Sequence, residues 1–250
     1  MRVKHKMFDI IIQAGQSNSE GCGFGEVDRP FEPDERIWYF NNDFTVKKAE
    51  EAFWDNKKIC NFSLSFAQEY IKSGLLQPSR NLLIVRAAVG GTGFLDGRWG
   101  LNDELYIRMI EMTESALALN KDNRLVAFLW HQGESDAGLN ASFETHYNNL
   151  KSLVQTVRNR FDCSLLPFVA ADFVHDWKNE NLSICEPVIR AIKAVCSELI
   201  PAAFVETAEL KSNAQTNGGD DTIHFCRASL MKLGQMYFDE FIKLKLYKNS

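Results

Sequence analysis

The chain has 250 residues and a mass of 28.5 kDa, and its 45% hydrophobic residues, 18 Phe among them, are enough to bury one sizeable core, so one domain over residues 1–250 is expected. Charged residues make up 24%, the formal net charge is −5 and the pI is about 5.6, so no basic excess is available for a phosphate backbone and nucleic acid is not an expected partner. No run of 18 apolar residues occurs, so no membrane span or membrane partner is expected either.

The N-terminal Met-Arg-Val-Lys-His-Lys resembles the start of an export signal, but the apolar run after it, residues 10–12, ends at Gln13. Six cysteines (Cys22, Cys60, Cys163, Cys185, Cys196, Cys226) include no Cys-x-x-Cys pair. Without export they read as reduced thiols, and a cytoplasmic location is expected. The oligomeric state is open.

Short apolar runs of strand length alternate with longer segments of helical period, the pattern of a parallel sheet covered on both faces. The first strand is expected at residues 8–13. The stretch 21–58 fits least well, being rich in Gly, Pro, aromatics and acids with only a weak strand signal at Ile37–Phe40, and it reads as an excursion over the sheet. Its Trp38, Tyr39 and Trp54 either line a sugar site or form satellite core. Phe66, Ala67, Tyr70 and Ile71 then make a helical stripe that ends at Gly74, and a strand follows at 82–88. Asp103 and Glu104 open the next helix, with Met109, Ile110, Thr113 and Leu117 on its apolar face. Strands at 125–130, 167–171 and 203–206 complete the series. Tyr147, Leu150, Val154 and Val157 mark a helix between the first two of these, and Leu230, Leu233, Tyr237 and Phe241 mark the last helix. No repeat or linker divides the chain. The expected fold class is α/β, a three-layer α/β/α sandwich around a central parallel sheet.

In such sheets ligands bind beyond the carboxyl ends of the strands. There the sequence turns polar: strand one runs into Ala14-Gly15-Gln16-Ser17-Asn18-Ser19, strand two into Val89-Gly90-Gly91-Thr92-Gly93, and strand three into His131-Gln132-Gly133-Glu134-Ser135-Asp136. A polar loop after the last strand holds Gly218-Gly219-Asp220-Asp221-Thr222-Ile223-His224. Acyl transfer needs a nucleophile, a base, an acid that orients the base, and donors for the oxyanion. Ser17, on a sharp strand exit, suits the nucleophile and equally suits a turn or helix cap. The Gly91 N–H and the Gln132 amide suit an oxyanion hole completed by the Ser17 N–H, while Gly90-Gly91 is also a plain tight-turn sequence. Asp221 and His224, three residues apart, can set a carboxylate against an imidazole; Asp172 and His175 repeat that spacing.

Taken in order, Gly-Gln-Ser-Asn, Val-Gly-Gly-Thr, His-Gln-Gly-Glu-Ser-Asp and the late Asp-x-x-His resemble the sialate O-acetylesterase and acetylxylan esterase group of the SGNH hydrolases, similar to carbohydrate esterase family 6. The resemblance spans nearly the whole chain. It implies a flavodoxin-like SGNH fold and a serine esterase that removes acetyl or other small acyl groups from a small acetylated saccharide through an acyl-serine, with no cofactor and no metal. It implies Ser17 as nucleophile, His224 as base, Asp221 as orienting acid, and Gly91 with Gln132 as oxyanion donors; Gln16, Asn18 and Glu134, in the same motifs, are expected around the oxyanion and substrate. Glu134 is the second candidate for the acid, its other possible task being to hydrogen-bond backbone around Ser17 or to hold Gln132. Two departures stand out: Ser19 where the group usually has Met, and Gln132 where the superfamily's naming Asn is expected.

Three rival readings compete. His131, Glu134 and Asp136 are close enough in sequence for a metal-dependent hydrolase, yet on a strand exit His131 and Glu134 do not share a face. The glycines at 21–25 and 91–93 match neither a dinucleotide fingerprint nor a Walker loop. A catalytically inactive carbohydrate-binding protein of the same fold has no need of nucleophile, base and orienter together.

Overall fold

The computed structural model describes residues 6–246; apart from Lys6, the basic stretch that opens the sequence lies outside the described residues. The chain starts with β1 (Met7–Gly15), whose Phe8, Ile10, Ile12 and Ala14 point to one side and Asp9, Ile11 and Gln13 to the other. All seven are buried, which places β1 in the middle of a sheet covered on both faces. After the short α1 (Ser17–Glu20) come four short strands: β2 (Ile37–Phe40), β3 (Val46–Lys48), β4 (Ala52–Trp54) and β5 (Lys57–Ile59). Helix α2 (Phe62–Lys72) is capped by Asn61, whose side chain accepts from Ser63 N at 3.1 Å. Next are β6 (Arg80–Arg86), α3 (Glu104–Ala118), β7 (Arg124–His131), α4 (Glu134–Gly138), α5 (Phe143–Arg160) and β8 (Phe168–Ala171). The chain continues through α6 (His175–Glu180), α7 (Leu182–Glu198), β9 (Ala202–Val205), α8 (Asn213–Asn217) and α9 (Arg227–Leu246).

Seven strands form the main sheet in the order β3-β2-β6-β1-β7-β8-β9, and β4 pairs with β5 in a separate hairpin. Every neighbouring pair in the main sheet is parallel except β2 with β3, so the expected all-parallel sheet has one antiparallel edge strand. Two apolar layers enclose it. Met109 of α3, Leu150 and Val154 of α5, and Val188 and Ile192 of α7 pack with Ile10, Ile12 and Phe128 on one face. Phe62 and Phe66 of α2 and Leu233, Tyr237 and Phe241 of α9 pack with Ile11, Ile84 and Leu129 on the other. The fold is the expected α/β/α sandwich.

The segment 21–58 is no mere excursion, because β2 adds to the sheet in parallel register, from Ile37 opposite Leu82 to Phe40 opposite Val85. Helix α7 is absent from the expected elements; its buried Cys185, Val188, Ile189, Ile192, Val195 and Cys196 have helical period, and Pro187 in its second turn masks the signal. All six cysteines are free. No helix among the described residues is long and apolar enough to cross a membrane.

Candidate active site

The carboxyl ends of β1 and β7 meet unusually closely. A Cβ on Gly15, whose φ is +123°, would overlap the His131 carbonyl oxygen, so glycine is required there. Gln16 N then donates to that same carbonyl at 2.9 Å, and the chain turns into α1 with Ser17 as its first residue. Ser17 Oγ lies 2.9 Å from His224 Nε2, and His224 Nδ1 lies 2.8 Å from Asp221 Oδ1. The backbone N–H of His224 donates to the same Asp221 oxygen at 3.3 Å, while Oδ2 accepts from Asn213 Nδ2 at 2.9 Å. The carboxylate is thus fixed at both oxygens, with Nδ1–H as the donor towards it and Nε2 free to accept from the serine.

Glu134 is elsewhere. Its Oε1 accepts from Asn18 Nδ2 at 2.8 Å and lies 3.6 Å from His131 Nε2. Asn18 clamps the segment around His224: its Nδ2 also donates to Ile223 O at 3.0 Å, and its Oδ1 accepts from Phe225 N at 3.0 Å. Burial alone would raise the Glu134 carboxyl, but hydrogen bonding and charge from His131, with the Asn18 amide, outweigh it and hold the group below the usual carboxylate range. On the far side of His131, Tyr237 OH donates to Trp130 O at 2.8 Å and lies 3.2 Å from His131 Nδ1. Burial keeps that phenol protonated.

Gly90 abuts the serine, since a Cβ on it would sit 3.5 Å from Ser17 Cβ. Its N–H is already used, donating to Glu20 Oε2 at 2.7 Å, whereas the Gly91 N–H has no protein partner among the described residues. Gln132 Nε2 donates to Asp136 Oδ2 at 3.0 Å, which leaves its second N–H available. Asp136 also accepts from Phe94 N and Leu95 N, both at 2.9 Å, and from His146 Nδ1 at 3.1 Å, and these bonds outweigh burial to keep it ionised. Gln16 uses its Oε1 to accept from Gly133 N at 3.3 Å and Ser135 N at 3.1 Å, tying the Ser17 turn to the β7 exit.

Against known proteins, residues 7–243 match the family described as carbohydrate esterase, sialic acid-specific acetylesterase. The chain belongs to this family. A relative, the probable carbohydrate esterase At4g34215 of Arabidopsis thaliana, is 29% identical over 178 residues, spanning 64% of this chain and 66% of that one, just under two thirds of its length. Its crystal structure superposes with a TM-score of 0.75 at 20% identity over 94% of this chain and 98% of that one. NanS superposes with a TM-score of 0.78 at 17% identity, covering 98% of this chain and 99% of that one. XAC1771, a carbohydrate acetylesterase from Xanthomonas citri, gives 0.61 at 15% identity over 93% of this chain and 55% of that one. At these identities the likenesses show the fold, the SGNH hydrolase sandwich.

In this chain the sequence-predicted Ser17, His224 and Asp221 come together, and Gln16, Asn18, Gly91, Gln132 and Glu134 surround them at the same end of the sheet. Asp172 and His175 do not pair: Asp172 binds Lys178 and Phe173 N. Nor do the three metal candidates converge, because Asp136 faces His146 and Gln132 while Glu134 faces His131; no group of three such side chains among the described residues is arranged to hold a metal ion. The aromatics of 21–58 divide: Tyr39 is core, Trp38 packs on the core beneath Lys6 and Lys48, and Trp54 is 66% exposed beside a cleft. Sequence reasoning missed Asn213, Tyr237 and the bracing role of Asp136. Each acts through a partner between 4 and 107 residues away, as with Asp136 and Gln132 or Tyr237 and the Trp130 carbonyl, and the first of these spacings was the one legible signal.

Proposed function

We propose that this carbohydrate esterase is a serine hydrolase that removes acetyl groups from a saccharide. The observation that carries the reading is the continuous path from Ser17 Oγ through the His224 ring to Asp221, at 2.9 and 2.8 Å. His224 Nε2 takes the hydroxyl proton as Ser17 Oγ attacks the ester carbonyl. The oxyanion is received by the N–H groups of Ser17 and Gly91 and by the Gln132 amide, which Asp136 holds in place. Imidazolium then gives its proton to the departing sugar oxygen as the C–O bond breaks, leaving acetyl-Ser17. Water repeats the sequence in reverse: His224 takes its proton, the hydroxide oxygen attacks, and acetate leaves as Ser17 regains the proton. Asp221 stabilises the imidazolium in both halves without taking its proton.

Ser17→Ala tests the reading. It is expected to lower hydrolysis of p-nitrophenyl acetate by roughly 10⁴-fold or more with an unchanged Tm, because no core packing is touched. A fluorophosphonate should add its mass to the peptide containing Ser17 in the wild type. Substantial turnover by purified Ser17→Ala protein sinks the mechanism. An inactive binding protein of the same fold would leave the wild type unable to hydrolyse the ester at all.

A further inference from the structure

Two clefts, of about 450 and 360 Å³, lie side by side at the sheet edge, and Glu20 and Arg86 line both. Each falls in the range of about 300–1,000 Å³ typical of small-molecule sites. Neither is lined by Ser17 itself; both meet the site through Glu20, which ends the helix that Ser17 begins and whose carboxylate holds the Gly90 N–H beside Ser17. The wall between them is stiff. Arg86 stacks over the Tyr39 ring at 4.7 Å and donates to the Glu20 carbonyl at 3.3 Å, and among the described residues it has no carboxylate partner. The larger cleft adds Arg108, which donates to the Asn42 carbonyl.

The smaller cleft is closed on its outer side by Trp54 of the β4–β5 hairpin. Its indole is 66% exposed to water, and the hairpin is built to hold it in place at the cleft. Asp55 and Asn56, with φ of 48° and 59°, make the tight two-residue turn that suits a twisted hairpin. Lys58 pairs with the buried Glu51 at 3.1 Å, and Glu51 is gripped at both oxygens by Arg227 at 2.7 and 2.8 Å. Lys57 sits 4.2 Å over the Phe24 ring. Because adjacent strand residues face opposite ways, Trp54 lines the cleft and Phe53, 72% exposed, does not.

A pyranose ring has an apolar C–H face and a hydroxyl rim. The smaller cleft offers an aromatic plane for the first and Glu20 and Arg86 for the second. We propose that the two clefts are sugar subsites on either side of Glu20 and Arg86, with Trp54 stacking on the sugar next to the acetylated one, so that the substrate is an oligosaccharide of at least two residues. This rests on the serine esterase reading. It narrows the substrate class from the small saccharide that the sequence implies to a chain.

The test is the length dependence of kcat/KM on O-acetylated mono-, di- and trisaccharides of glucose, xylose and sialic acid, with p-nitrophenyl acetate as a sugar-free ester. In the accepted series kcat/KM should rise about tenfold or more from monosaccharide to disaccharide. Trp54→Ala should bring that ratio back to about one with an unchanged Tm, Trp54→Phe should restore part of it, and Phe53→Ala should leave it as in the wild type. Equal values for mono- and disaccharide in every series, or a ratio that survives Trp54→Ala, overturns the subsite. Hydrolysis of p-nitrophenyl acetate without hydrolysis of any sugar ester overturns it too, while the nucleophile assignment stands. Only a wild type inactive on every ester removes both.

Discussion

His224 has a carboxylate on one side and, two hydrogen bonds away through Asn18, a second carboxylate that never touches it. The two acids therefore separate by experiment. Asp221→Asn keeps the size but can present an N–H to Nδ1 and removes the charge that stabilises imidazolium, so kcat should fall by roughly 10³–10⁴-fold with little change in KM. Glu134→Gln removes a buried acceptor that serves Asn18 and His131, an interaction of about 1.5–3 kcal/mol for a charged partner, so its first effect should be a Tm lower by several degrees, with a smaller loss of rate. Measuring kcat and Tm on the pair decides the matter: a near-normal rate for Asp221→Asn beside a collapsed rate in stable Glu134→Gln would make Glu134 the triad acid. Since every donor invoked is protein, EDTA should leave the rate unchanged. A loss restored by a divalent metal would move the chemistry to Glu134, Asp136 and the histidines beside them.

At the scale of elements, the core strands and four long helices were legible because their burial follows a period the sequence carries: β1, β6, β7 and β8 are largely buried apolar runs, β9 is a half-buried apolar run at the sheet's edge, and α2, α3, α5 and α9 present apolar stripes. Strands β3, β4 and β5 were not, since each is three residues long, too short to show a period, and none of their residues is fully buried. The site divides on similar grounds. Ser17 and Gln132 stand in strand-end motifs and His224 in the polar loop before α9, all announced by their residue types, whereas Asn213 and Tyr237 gain meaning only from tertiary partners. One close contact also goes unannounced. Gly234 lets α9 settle on α2 so tightly that a Cβ would overlap the Phe62 carbonyl and the Ser65 hydroxyl and come within 2.9 Å of Phe66 N. Helix propensity favours Ala over Gly by about 1 kcal/mol, but forcing the helices apart costs about 1–3 kcal/mol, so the second effect wins. Gly234→Ala should therefore lower Tm. A Tm equal to or above wild type would show that the helices do not pack this closely.

Across the whole molecule the sheet has the candidate active site at its carboxyl end and a structural tie at its amino end. At its amino end Asp9 is fully buried, with Arg80 Nε at 2.6 Å, Arg124 Nε at 2.7 Å and Tyr70 OH at 3.0 Å, so one carboxylate joins β1, β6, β7 and α2. Burial pushes its carboxyl up, but the hydrogen bonds and charges of Arg124 and Arg80 outweigh this and hold it below its ordinary value. A carboxylate depressed in the folded state stabilises fully above its unfolded value of about 3.9, and that contribution disappears as pH falls through the lower folded value. Asp9→Asn leaves the buried Arg80 without its counter-charge, a change that costs about 3–5 kcal/mol at neutral pH. Six strand steps, roughly 20 Å at about 3.3 Å each, separate Asp9 from Gly15 at the end of β1 where the Ser17 turn begins, so kcat/KM measured well below the melting temperature should stay near wild type. The Tm difference between the two proteins should be largest near pH 7 and shrink below about pH 4, where the wild type loses the same charge. Thermal melts from pH 7 down to pH 2, with ester hydrolysis assayed at pH 7, read both quantities. A Tm gap that stays constant to pH 2 would remove Asp9 as the acid-sensitive tie. A rate at pH 7 that falls as steeply as the stability would mean that the two ends of the sheet are coupled.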